Sequence, residues 1–108
     1  MDYEQIIMNI IVNGGDARTF SLKALRSAKK GNYTEAEELM KKATTCINAA
    51  HETQTKLIQQ EVRGEGNDVS LLMVHAQDHL MNAMTIYDLV FEFIGDDIKV
   101  REEVKVHD

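Results

Sequence analysis

The chain has 108 residues, room for one domain around one core, and its 44% apolar and 28% charged residues exclude an intrinsically disordered segment. It has no proline or tryptophan and only three phenylalanines and three tyrosines, a composition that argues against a sheet protein and for helices built from Leu, Ala, Met, Glu, Lys and Gln. The net charge of −6 at pH 7 lacks the basic face that nucleic acid requires and suits docking to a basic protein surface.

A first helix is expected over residues 2–30, opening at Asp2 and Gln5, which have capping-box spacing. Its inner row follows three- and four-residue steps through Ile10, Gly14, Ala17, Ser21, Ala24 and Ala28, with Ile7, Ile11, Leu22 and Leu25 beside it. Every member after Ile10 is small, so another helix can approach closely. Asn13-Gly14-Gly15-Asp16 is the weak point: two adjacent glycines cost about 2 kcal/mol against alanine in a helix interior, and they also read as a turn. We take a continuous or kinked helix over a break. Gly31-Asn32 ends it.

Thr34 to Glu37 has the capping-box pattern that would open a second helix, residues 34–62, with Ala36, Met40, Ala43, Ile47, Ala50, Gln54 and Leu57 on its inner row and Leu39 and Ile58 alongside. Segment 24–36 resembles the turn of a tetratricopeptide repeat, but no second copy follows, so only a helix–turn–helix hairpin survives from that reading. Cys46, the single cysteine, sits within the helical pattern as a small core residue and suits a reducing cytoplasm. Arg63-Gly64-Glu65-Gly66-Asn67-Asp68 is the clearest loop.

A third helix is expected over residues 69–94 with Asp68 as its N-cap. It is apolar on most sides, from Val69, Leu71, Leu72, Met73 and Val74 to Leu89, Val90, Phe91, Phe93 and Ile94. A surface helix shows one apolar stripe, and two neighbours cannot cover this much, so burial against other copies of the chain is the simplest explanation. Ser70, His75, Gln77, Asp78, His79, Asn82, Asp88 and Glu92 interrupt it too often for a membrane span. The first twenty residues lack the basic n-region and apolar run of a signal peptide. A charged tail, residues 95–108, completes one domain spanning 1–108.

The informative run is Val74-His75-Ala76-Gln77-Asp78-His79-Leu80-Met81. At about 100° per residue, His75, Asp78, Asn82 and Thr85 share one row, and His79 lies one turn from His75. Polar groups on a helix otherwise meant for burial need satisfying by a partner chain, a metal or a ligand. The plainest reading of His75 is a hydrogen-bonded core histidine. Its clustering with Asp78 and His79 favours chemistry, because a neutral imidazole nitrogen is nucleophilic near pH 7 and suits a phosphoryl carrier.

A zinc site using His75, Asp78 and His79 is the competing chemistry. Ala76 stands where a metalloprotease requires glutamate, and His51 and His107 are candidate further ligands without supporting spacing. A third reading is a non-catalytic helical oligomerisation module. If third helices pack around an axis, their Asp78 carboxylates converge and require protonation or a hard cation such as magnesium.

The run from His75 to Met81 resembles the active-site motif of the lactose/cellobiose family of IIA proteins of the sugar phosphotransferase system. Asn13 to Arg18 matches the family's first-helix signature, Gln54 to Leu57 its second-helix signature, and Glu65-Gly66 its loop. The resemblance implies an all-α antiparallel three-helix bundle that trimerises through its third helices and works in the cytoplasm. It implies that His75 takes a phosphoryl group from phospho-HPr and passes it to a cysteine of the IIB component, in the uptake of a β-linked disaccharide. It also implies that Asp78 from three chains holds one Mg2+, with Gln77 and His79 as supporting residues. The third helix carries no Lys or Arg to meet the phosphate, so donors from a neighbouring subunit or the partner protein are expected.

Overall fold

The capping box at Asp2 forms in both directions: its Oδ1 accepts from the Gln5 N–H at 2.9 Å, and Gln5 Oε1 accepts from the Asp2 N–H at 3.1 Å. In the computed structural model, which describes residues 2–95, three helices follow: α1 (Tyr3–Lys29), α2 (Tyr33–Val62) and α3 (Leu71–Ile94). No strand occurs among the described residues. The tail expected at 95–108 lies outside them beyond Gly95.

α1 passes through Gly14 and Gly15 without a break. Its inner row is buried as the spacing predicts, with Ile10, Gly14, Ala17, Ser21, Ala24 and Ala28 all shielded. Gly31 makes the turn into α2 at a φ of 79°, a left-handed conformation that favours glycine. α2 then begins a residue earlier than the Thr34 capping box proposed. Asn32 is its N-cap and makes no side-chain cap hydrogen bond, and Thr34 already stands inside the first turn. Ala36, Met40, Ala43, Ile47 and Ala50 are buried, whereas Gln54 and Leu57 are only half-buried.

Asp68 is not the cap of α3. Ser70 is: its backbone is extended and its Oγ accepts from the Met73 N–H at 3.1 Å, while the Asp68 carbonyl accepts instead from the Tyr3 hydroxyl at 3.1 Å. The loop therefore runs two residues further than expected and is tied to the start of α1.

Two apolar clusters hold the bundle, and both draw on all three helices. Ile7 and Ile10 meet Ala50, Ala76 and Leu80 at one end. Ala17, Ala24 and Ala28 meet Met40, Ala43, Ile47, Tyr87, Val90 and Ile94 toward the other. This pairing runs α1 antiparallel to α2 and parallel to α3. Thr44 Oγ1 donates to the Met40 carbonyl at 2.9 Å and stands 2.6 Å from the Tyr87 hydroxyl, which satisfies polar groups inside the second cluster. Cys46 packs half-buried against that cluster, and burial, with Asp16 adding to it, pushes its thiol above the ordinary cysteine range. α2 and α3 each lie close along α1; their own backbones stand further apart and are bridged by side chains, as by Thr44 and Tyr87.

Candidate functional site

The buried face of α3 consists of Ala76, Leu80, Ala83, Tyr87, Val90, Phe91 and Ile94. Its opposite face carries the polar row. His75, Asp78, Asn82 and Thr85 are all exposed, on the same side of the helix as the spacing predicts. Apolar side chains left largely exposed among the described residues flank them: Leu71 is 85% exposed, Val74 51%, Met81 49% and Leu89 55%. The apolar excess of α3 is thus surface among the described residues, and exposed apolar side chains gathered on one helix face favour association.

The structure brings His75 and His79 together and gives Gln77 a different direction. The two imidazoles lie nearly parallel, with centroids 6.1 Å apart and planes 19° from one another. His79 is half-buried between His75 and α1. Asn82 Nδ2 approaches Asp78 Oδ2 at 3.4 Å along the exposed row. Gln77 points toward α2, where its Oε1 accepts from Gln54 Nε2 at 2.6 Å, and its own Nε2 lies 3.5 Å from Met73 Sδ. Gln54, the one polar member of the inner row of α2, is explained by this bond.

The zinc reading finds no support within the described part of the chain, and His107 lies outside it. Among the described residues no three His, Cys, Asp or Glu side chains gather closely enough to hold a metal ion. His75 and His79 stack instead of turning toward a shared point with Asp78.

Two hollows flank the row. A groove of about 480 Å³ opens between α2 and α3, lined by Leu57 and Ile58 on one side and Met73, Val74, Gln77, Asp78 and Met81 on the other. On the opposite side, Arg18 from α1 joins His79, Asn82, Thr85 and Ile86 around a second hollow. Sequence reasoning sought a cation on the third helix and missed Arg18. The signal was its place one turn beyond the double glycine, where α1 comes closest to His79. Among the described residues no helix is long and apolar enough to cross a membrane.

Fold and surface together define a small helical protein with an exposed imidazole on its third helix. The family described as the lactose/cellobiose-specific IIA subunit of the phosphotransferase system (PTS) matches residues 5–96. The chain is 45% identical over 102 residues to the lichenan-specific phosphotransferase enzyme IIA component of Bacillus subtilis (strain 168), covering 94% of this chain and 93% of that one. The crystal structure of the PTS cellobiose-specific enzyme IIA from Bacillus anthracis is similar at a TM-score of 0.81 and 52% identity, over 88% of each chain. A chain in the solution structures of the IIA(chitobiose)–HPr complex of the Escherichia coli phosphotransferase system is similar at a TM-score of 0.73 and 38% identity, over 88% of this chain and 92% of that one. This chain belongs to the lactose/cellobiose-specific IIA family and is a phosphate-transferring component of the sugar phosphotransferase system.

Proposed function

We propose that His75 is the phosphoryl-carrying residue, loaded by phospho-HPr and unloaded by a cysteine of the IIB component, in the cytoplasmic uptake of a β-linked disaccharide. The observation that carries this reading is the exposure of His75 on α3, beside the exposed and apolar Leu72. A carrier must present its nucleophile to two different proteins in turn, and apolar surroundings let each partner exclude water from the transfer. In loading, an imidazole nitrogen of His75 forms a P–N bond as the bond from phosphorus to the donor breaks. In unloading, the IIB thiolate forms a P–S bond and the P–N bond breaks, returning His75 to its starting state. Such transfers depend mainly on positioning and on charge stabilisation.

The uncovered face of α3 supports assembly as a trimer through that helix, with Leu71, Val74, Met81 and Leu89 buried between copies. Asp78 then reaches the shared axis. It is exposed, and it offers the oxygen donors that Mg2+ prefers. Three such carboxylates fit the ion, which when bound would supply the positive charge that offsets their repulsion. Gln77 and His79 support the site, Gln77 by joining α3 to α2.

The test is incubation with phosphoenolpyruvate, enzyme I and HPr, followed by intact and peptide mass spectrometry. The expected product is a single acid-labile phosphate on His75, absent from a His75→Ala variant whose circular dichroism is unchanged. No phosphate, with active controls, would overturn the reading and leave the oligomerisation module as the better account.

A further inference from the structure

Two adjacent glycines within α1 cost about 2 kcal/mol against alanine, and the backbone does not require them there. α1 continues through both as helix, and the glycines of positive φ among the described residues are Gly31 and Gly64. The requirement comes from α3. A methyl group at Gly14 would stand 3.4 Å from Leu80 Cα and 3.4 Å from His79 Cδ2, in contact with the α3 backbone. At that distance a methyl group would make ordinary contact, so Gly14 marks where α1 and α3 meet without being required by it.

Gly15 is different. A methyl group there would stand 3.2 Å from His79 Nε2 and 4.0 Å from His79 Cε1, and would meet no other group outside its own stretch of helix within 4 Å. The histidine ring is the one tertiary neighbour that needs this position bare. That ring is also the one lying nearly parallel to His75, at 6.1 Å between centroids. His79 thus neighbours both Gly15 and His75.

We infer that Gly15 is a positioning residue for the phosphoryl-accepting histidine: it lets the His79 imidazole seat against α1, and the seated ring sets the direction in which His75 presents its own. The inference rests on the reading of His75 as the carrier. Alanine at residue 15 would push the His79 ring outward by a few tenths of an ångström, toward a reacting geometry that tolerates little displacement. The same substitution raises helix propensity. Stability and transfer should therefore move in opposite directions, whereas a glycine serving only the fold would move both together.

The experiment compares the full chain, Gly15→Ala, His79→Asn and the double variant. Single-turnover phosphorylation of His75 is followed over a range of phospho-HPr concentrations, with thermal unfolding alongside. Misplacement by about 1 Å can cost on the order of a hundredfold, so the smaller displacement in Gly15→Ala should lower the maximal rate by about three- to tenfold. The half-saturating phospho-HPr concentration should stay within about twofold, because docking is untouched. The Tm should be equal or higher. In the His79→Asn background, where the ring is gone, Gly15→Ala should have no further effect.

Transfer by Gly15→Ala at the parent rate, or an equal loss in both backgrounds, would overturn the inference alone. A parent chain that takes no phosphate would overturn the carrier reading, and the inference with it. The resonances of the His75 ring should also move on Gly15→Ala substitution, and unmoved resonances would show that the seat does not reach His75.

Discussion

Asp78 stands exposed in the single chain, flanked by apolar side chains that favour association and carrying a charge that opposes it. Like charges brought together in a dry interface repel unless a cation joins them. Under the proposed trimer with Mg2+ at its axis, an Asp78→Asn variant should lose the ion and, in the presence of a chelator, hold the assembly against dilution better than the parent. Metal analysis and sedimentation equilibrium check both, and unchanged metal content in the variant would remove Asp78 from the site. The exposed row itself was legible in the sequence, because helical periodicity alone puts His75, Asp78, Asn82 and Thr85 on one side. The partners across helices were not. That Gln54 bonds Gln77, and that Arg18 lines a hollow with His79, depends on where α2 and α1 lie against α3, and periodicity carries no information about neighbours.

For the elements, burial was read more accurately than helix ends. Small residues at three- and four-residue steps marked the inner rows of α1 and α2, because apolar burial is periodic and only a helix satisfies that period. Caps were harder. Thr34 and Asp68 are good capping residues by type, yet each was displaced by a neighbour: Asn32 precedes the first turn of α2, and the Asp68 region is drawn to Tyr3. Ser70→Ala should thus cost about 1 kcal/mol of stability, and Asp68→Ala distinctly less, as urea unfolding at fixed protein concentration would show. Equal costs would return the cap to Asp68. The double glycine was read as a weak point in α1, but its role lies in what α3 places above it.

The whole molecule leaves one helix half-clothed. The exposed Leu71, Val74, Met81 and Leu89 mean that the described residues bury only one side of α3. Replacing Leu89 by Arg should shift sedimentation from trimer to monomer at micromolar concentration while helicity is retained, and a variant that sediments like the parent would place the interface elsewhere. The inner stripe of α1 contributes to both clusters of the core, and α1 stands closer to α2 and to α3 than those two stand to one another. Sequence freedom is therefore unevenly shared among the helices. A larger side chain at Ala17, Ser21 or Ala24 is felt on two fronts at once, with no slack on either, since packed interiors resist added volume. A change on the outer face of α2 is felt on none. The tightest constraint on inner residues thus falls on α1, which carries neither the proposed phosphate nor the proposed metal.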